Sequence, residues 1–437
     1  MSRIDRKNGA DLSSSQSRRN GKLCAVTGAV LMLLLSASFA NAFVFELGGV
    51  SPESGNPTGA LYFHSRDGRE TMLAEVDVHH DGLPTLADLG QPSVADDGSI
   101  VFGGMVFENR RPHWILFRSE PGASPRRVSR ILIPDSGGAF PPLVLNVDPR
   151  PAVDSEGGVI FMARAASDRE AIFRIFDGEV SRLVGTGDKT ADGRRLTHVA
   201  FGSVNSWGPG ECVFVGWLEH DKQAELAFSR AKGLRVLAAE GDNAPGGGVF
   251  KRNFGLPAAV SQASGSEDAL VSFTARTSVG EGLFLHAAKL QQISLEGVPF
   301  GKTGACWLST GRPGLAAPGR IALMAQCNKR PVIIGIDRSG RREILARTDT
   351  ILESGSVITN IADPWILDSG AILFGGSRDT SWEALYQLSS YGVIDDLSKP
   401  GQANAHESDT SDIRAHTVCA VTMSPNRYGD FAYLGSR

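Results

Sequence analysis

The sequence predicts an all-β fold, a seven-bladed β-propeller with one blade shared between the N- and C-terminal strands. Three observations lead there. Glycine supplies 51 of 437 residues and proline 22, a glycine share well above the roughly 7% of average usage and free of any collagen period. Runs of four to seven Val, Ile, Leu and Phe residues alternate with Gly/Asp turns, too short and too β-branched for helices. One phrase also recurs: an apolar stretch, an Asp/Gly turn, then a β-rich segment closing on a large apolar residue and small residues. The 41% hydrophobic and 21% charged content is that of a globular chain. A formal charge of −4 argues against a strongly basic nucleic-acid binder.

Residues 1–22 carry Arg3, Arg6, Lys7, Arg18, Arg19 and Lys22 against Asp5 and Asp11. An uncharged run from Leu23 to Phe45 follows and contains Ala40-Asn41-Ala42. Basic segment, apolar stretch and small residues at −3 and −1 mark a secretory signal peptide over 1–42, cleaved after Ala42. A retained single-span anchor is the rival, since 23 uncharged residues can cross a bilayer; the Ala-x-Ala ending favours cleavage. Arg18-Arg19 after Ser17 resembles a twin-arginine export signal, with Asn20 and Gly21 where apolar residues are usual. Residues 43–58 form an N-terminal extension and 59–437 one propeller domain. No second long apolar run follows, so a periplasmic or secreted protein is expected. Losing six basic and two acidic residues leaves 38 against 46, a net charge of −8.

The repeated phrase reads "PSVADDGSIVFGG", "PAVDSEGGVIFMA", "VNSWGPGECVFVG", "AVSQASGSEDALVSFTA", "GLAAPGRIALMAQ", "WILDSGAILFGG" and "VTMSPNRYGDFAYLG". Its anchors are Phe102, Phe161, Phe214, Phe273, Leu323, Phe374 and Tyr433, at spacings of 59, 53, 59, 50, 51 and 59 residues. Four short strands per unit at this period match a propeller blade better than a solenoid coil. The last unit stops after two strands, and the missing pair stands at the other end, in "GALYFHSRDGRETMLAEVD" from Gly59 to Asp77. Pairing 59–77 with 415–435 removes an exposed edge and fastens the ring.

These phrases resemble a family of exported bacterial tandem-repeat proteins named for an Asn-x-x-Gly-x-x-Ala-Phe signature. Asp stands at the Asn position at Asp96, Asp154 and Asp368, Ala is kept only in "GDFAYLG", and "AEGDNAPGGGVF" looks like the inter-repeat segment. The resemblance implies an exported repeat protein and brings no established activity with it.

Acidic residues recur after each expected outermost strand: Asp81, Asp135, Asp188, Asp242, Glu296, Asp349 and Asp395, at intervals of 54, 53, 54, 54, 53 and 46. They form either a ring of carboxylates collecting divalent cations or a set of turn caps. Repetition favours turn caps, because a site normally breaks the symmetry. Trp207, Trp307 and Trp365 lie on expected innermost strands and offer a stacking platform for a sugar or aromatic ligand, or filler between sheets. His79-His80-Asp81 suits zinc or copper only in an irregular loop, and His113, His198 and His416 are isolated. Cys306 and Cys327 come opposite each other if "CWLST" and "IALMAQC" pair, which makes a disulfide feasible. Cys212 and Cys419 are read as buried free thiols. Ser65 and Ser377 begin phrases that faintly resemble the Asp-box turns of sialidase propellers. Catalytic elbows, zinc-protease helices, phosphate loops and dinucleotide fingerprints are absent.

The favoured function is therefore a binding or interaction scaffold, monomeric, without a resident cofactor, taking a protein or carbohydrate partner. A charge of −8 favours cationic or neutral partners. The polar stretch 398–417 is a candidate recognition segment or lid. The competing function is an envelope hydrolase or lyase with a metal-assisted site in the central funnel.

Overall fold

The short apolar runs between Gly/Asp turns form antiparallel strands throughout the computed structural model. It describes residues 59–436 apart from 65–69, 79–83, 109, 121–127, 131–145, 165–168, 262–268, 298–305, 309–310, 368, 379–380, 398–416 and 426–430. Six sheets are each drawn from one continuous stretch: sheet I from 88–130, II from 146–185, III from 196–239, IV from 250–295, V from 306–347 and VI from 358–396. Each is a meander whose first strand lies at one edge and whose last lies at the other. A further sheet joins the two ends of the chain in the order Glu70–Glu75, Ala60–His64, Phe431–Ser436, Thr417–Pro425. There Leu61 stands opposite Leu434 and Tyr62 opposite Tyr433.

The repeat anchors occupy equivalent places. Phe102, Phe161, Phe214, Phe273 and Phe374 are fully buried and Leu323 nearly so, each on the strand that pairs with the first edge of its sheet. Four of them meet an aromatic ring of the next strand: Phe102 stacks on Phe117 at 5.4 Å, Phe161 on Phe173 at 5.7 Å and Phe273 on Phe284 at 5.6 Å, while Phe374 lies tilted against Tyr386 at 5.2 Å. Such cross-strand pairs each add roughly 0.5–1.5 kcal/mol beyond area burial.

Hydrophobic clusters form between consecutive sheets, so the core is distributed around the molecule. Val101 and Leu116 of sheet I meet Val159 and Phe161 of sheet II, and Leu283 of sheet IV meets Ile321 and Ile334 of sheet V. Leu373 and Leu385 of sheet VI meet Ala60 and Tyr62 of the terminal sheet. Leu61 and Phe63 of that sheet meet Phe102 and Phe117 of sheet I. The innermost strands touch in the same succession, 93–94 with 152–153, then 205–208, 258–260, 314–316, 358–366 and 417–425, which returns to 93–94. The fold is an all-β propeller. No helix among the described residues is long and apolar enough to cross a membrane.

One feature departs from four unbroken strands per unit. In sheets I to V the innermost strand is two short pieces on one neighbour, and in sheet VI it is bulged between Ile361 and Pro364. Pro92, Pro151, Pro257, Pro313 and Pro364 stand at these interruptions. Proline lacks the N–H that a ladder needs, so the strand cannot pass through unbroken.

Candidate functional site

Each interruption lifts a few residues off the ladder where the innermost strands face the axis. The residue before the proline is Gln91 in sheet I, Arg150 in II, Leu256 in IV, Arg312 in V and Asp363 in VI. Three of these are charged, and they break the repeat symmetry. The residue before a proline is also held extended, which fixes the direction in which each side chain leaves.

These interruptions touch one another across sheets. Asp148 of sheet II is buried, and its carboxylate accepts the amides of Arg150 at 3.0 Å and of Gly202 in sheet III. Gly202 holds a φ of 69°, a left-handed conformation that glycine adopts without strain. Arg312 of sheet V donates its amide to Asp363 Oδ2 at 3.2 Å and one Nη to the Gly202 carbonyl at 3.4 Å. A Cβ at Gly311 would stand 2.2 Å from Asp363 Oδ2, so glycine is required for this close approach. The Arg312 guanidinium lies 5.8 Å from the Trp365 ring centroid. Its Nε is buried and bonds to nothing among the described residues. Glu225, on Lys222–Ser229 of sheet III, is fully buried, and neither carboxyl oxygen has a hydrogen-bond partner among the described residues.

The electrostatics follow from this enclosure. Burial raises the Asp148 carboxyl to about 6, against the opposing pull of the Gly202 and Arg150 amides and the two guanidiniums. Burial likewise raises Asp363 to about 6 and lifts Glu225 well above the carboxylate range. Arg312 is lowered to about 10, first by burial and next by the like charge of Arg150. Burial also lowers Arg150. Two guanidiniums thus share a low-dielectric space with carboxyls that burial drives toward their neutral forms.

The three tryptophans separate. Trp207 is buried in the core between sheets III and IV, Trp307 is 60% exposed, and Trp365 alone borders the charged set. The carboxylates of the expected ring are engaged locally. Asp188 caps the Gly185 amide at 2.9 Å and pairs with Arg182; Asp242 pairs with Arg194 of the preceding connection at 3.1 Å. Glu296 accepts the Glu281 amide at 3.1 Å, Asp349 pairs with Arg330, and Asp395 is exposed on the outermost strand of sheet VI.

Their even spacing conceals different structural phases. The amides of Gly187, Gly241 and Asp349 make the same bond, to the carbonyls of Leu196, Phe250 and Ile358. Asp349 therefore corresponds to glycine, at a φ of 75°, and Thr350 to Asp188 and Asp242. Among the described residues no three His, Cys, Asp or Glu side chains gather as a metal set. His79, His80, Asp81, Asp135, His416, Asp368 and the stretch 398–416 lie outside the described residues. His113 is half-buried on Arg111–Ser119, and His198 sits 3.5 Å from Glu170.

Cys306 and Cys327 are register partners, 4.3 Å apart at Cα and joined as a disulfide. Cys212 is free and buried, and burial raises its thiol. Cys419 lies on the innermost strand of the terminal sheet, its side chain outside the described residues. The central charges were missed because the repeated phrases were read from the proline onward. The residue before each proline, charged in three units and uncharged in the others, was the available signal.

No known protein family and no curated protein matches the chain. Among solved structures, it is similar to the β-propeller domain of the Trilobed protease from Pyrococcus furiosus, at 10% identity and a TM-score of 0.48, covering 81% of this chain and 91% of that one. It is also similar to virginiamycin B lyase from Staphylococcus aureus, at 13% identity and a TM-score of 0.38, covering 80% and 96%. A third similarity is to an acylaminoacyl peptidase from Pyrococcus horikoshii, at 11% identity and a TM-score of 0.42, covering 71% of this chain and 46% of that one.

Proposed function

We propose that this is an exported binding propeller that holds its ligand at the axis, within a ring of seven blades whose last blade is the sheet made from both chain ends. The observation that carries the reading is the charged set at the innermost-strand interruptions. It departs from the repeat and joins sheets II, III, V and VI at one place. A rigid scaffold presenting symmetry-breaking side chains inward is how a propeller acquires a binding site. The closed succession of innermost-strand contacts, with 417–425 against 93–94, supports the seven-blade count. The basic leader, the apolar run and Ala40-Asn41-Ala42 support export with a mature start at Phe43, and the repeat phrases support kinship with exported tandem-repeat proteins.

The test is a ligand screen by thermal shift on the mature chain, followed by mass spectrometry of the recovered ligand. A compound that stabilises the wild type, loses that effect with Arg312→Ala and returns chemically unchanged supports a binding propeller. Turnover of the stabilising compound contradicts it. Intact mass of the exported protein reads the leader: a first residue other than Phe43 contradicts the cleavage site.

A further inference from the structure

We infer that the axial site takes an oxyanion, a carboxylate or phosphate group of a small ligand, gripped between Arg312 and Arg150 with Trp365 alongside. This rests on the axial binding site proposed above and adds the chemical class of its ligand.

A guanidinium has five N–H donors in a planar fork and no acceptor. Arg312 uses one of them, in a long 3.4 Å bond to the Gly202 carbonyl. Its Nε is enclosed and idle, and its side chain forms none of the ion pairs seen among the described residues, although Asp363 and Asp148 stand near. Leaving charged donors enclosed without acceptors is costly. Placing a second guanidinium within electrostatic reach adds like-charge repulsion. An oxyanion between the two arginines relieves both at once, since a carboxylate or phosphate accepts the fork in two parallel bonds. Trp365, half-buried, already lies 5.8 Å from the Arg312 guanidinium and would border the body of the ligand.

The local acids do not fill this role. Asp363 accepts the Arg312 backbone amide at 3.2 Å, and Asp148 is held by the amides of Arg150 and Gly202. Glu225 has no hydrogen-bonded partner, and burial keeps it protonated well above the usual carboxylate range. The charged groups facing the site are thus Asp148 and Arg150 from sheet II, Glu225 from III, Arg312 from V and Asp363 from VI. Protonating Asp148 and Asp363, both raised to about 6, removes two negative charges from beside the arginines. Anion affinity therefore rises as pH falls from 7.5 to 5.5.

The experiment is calorimetric titration of the mature chain with benzoate, inorganic phosphate and neutral benzamide, at both pH values. The expected result is one site for benzoate or phosphate, with benzamide weaker by about tenfold or more. Benzoate alone identifies a carboxylate site, and phosphate alone a phosphate site. Arg312→Ala and Arg150→Ala each weaken the anion by about tenfold or more, whereas Arg312→Lys, which keeps the charge, weakens it less. The wild-type series decides the matter even if an arginine variant fails to fold. Benzamide binding as well as benzoate, or neither anion binding at either pH, overturns the oxyanion assignment. The binding-propeller reading fails separately, only if the thermal-shift ligand ignores Arg312 or is consumed.

Discussion

Asp154 stands where the resemblance places asparagine, and its surroundings show what that position does. One carboxylate oxygen accepts the amides of Glu156 at 3.0 Å and Gly158 at 2.8 Å, closing the Asp/Gly turn. The other accepts Arg174 Nε at 2.6 Å and the Gly210 amide of sheet III at 3.0 Å. A turn cap and an inter-sheet tie thus share one side chain. Removing it with Asp154→Ala leaves the buried Arg174 without this partner, and a loss of roughly 3–5 kcal/mol in urea unfolding is expected. Asp154→Asn keeps the turn bonds and costs less. The turn role was legible from the Asp/Gly repeat, but the cross-sheet bond was not, because local pattern carries no information about which neighbour a turn faces.

Asp148 makes a prediction of the opposite electrostatic sign. Its folded carboxyl is raised from the ordinary 3.8 to about 6, so the folded state holds a proton that the unfolded chain releases. That contribution is fully present in acid below the unfolded value and is lost as pH rises from about 4 through about 6. Urea midpoints should therefore fall between pH 4.5 and 7, by up to roughly 3 kcal/mol from this group. Asp148→Asn should flatten part of the slope, Asp363 retaining its own share. A midpoint that climbs across this window contradicts the assignment.

At the scale of elements, the interrupted innermost strand is the unit that matters. In sheets II to V its first piece touches the preceding sheet and its second the neighbouring innermost strands, and in II, IV and V proline separates the two. Anchor positions were readable because strands buried on both faces read as short apolar runs bounded by turns. Phe161 and Phe374 illustrate this. The phase of the recurring carboxylates was not readable: turns differ by one or two residues, so equal spacing from Glu296 to Asp349 joined positions that are not equivalent. The disulfide closes a third element, the innermost strand of sheet V. Cys306 and Cys327 are separated by 21 residues, and a closed loop of that length adds about 3 kcal/mol in the chain-entropy account. Replacing both by serine should lower unfolding stability by about that amount, measured against the oxidised wild-type protein without reductant.

For the whole molecule, the two ends of the chain determine whether the sheets close. Ala60–His64 pairs along its full length with Phe431–Ser436, and its side chains enter the clusters on both sides, against sheet I and against sheet VI. Without that sheet, Phe102 and Leu373 each lose a packed neighbour, two sheet edges open, and the axial interruptions lose the ring that holds them in register. The pairing of the two ends in one sheet was legible from the orphan half-units at either end, since an unpaired edge is something a stable sheet protein covers. The direct measurement is thermal unfolding of a chain lacking residues 59–77, followed by circular dichroism beside the intact mature protein. Loss of the cooperative transition is predicted, and a single sharp transition at an unchanged temperature would contradict the closed ring.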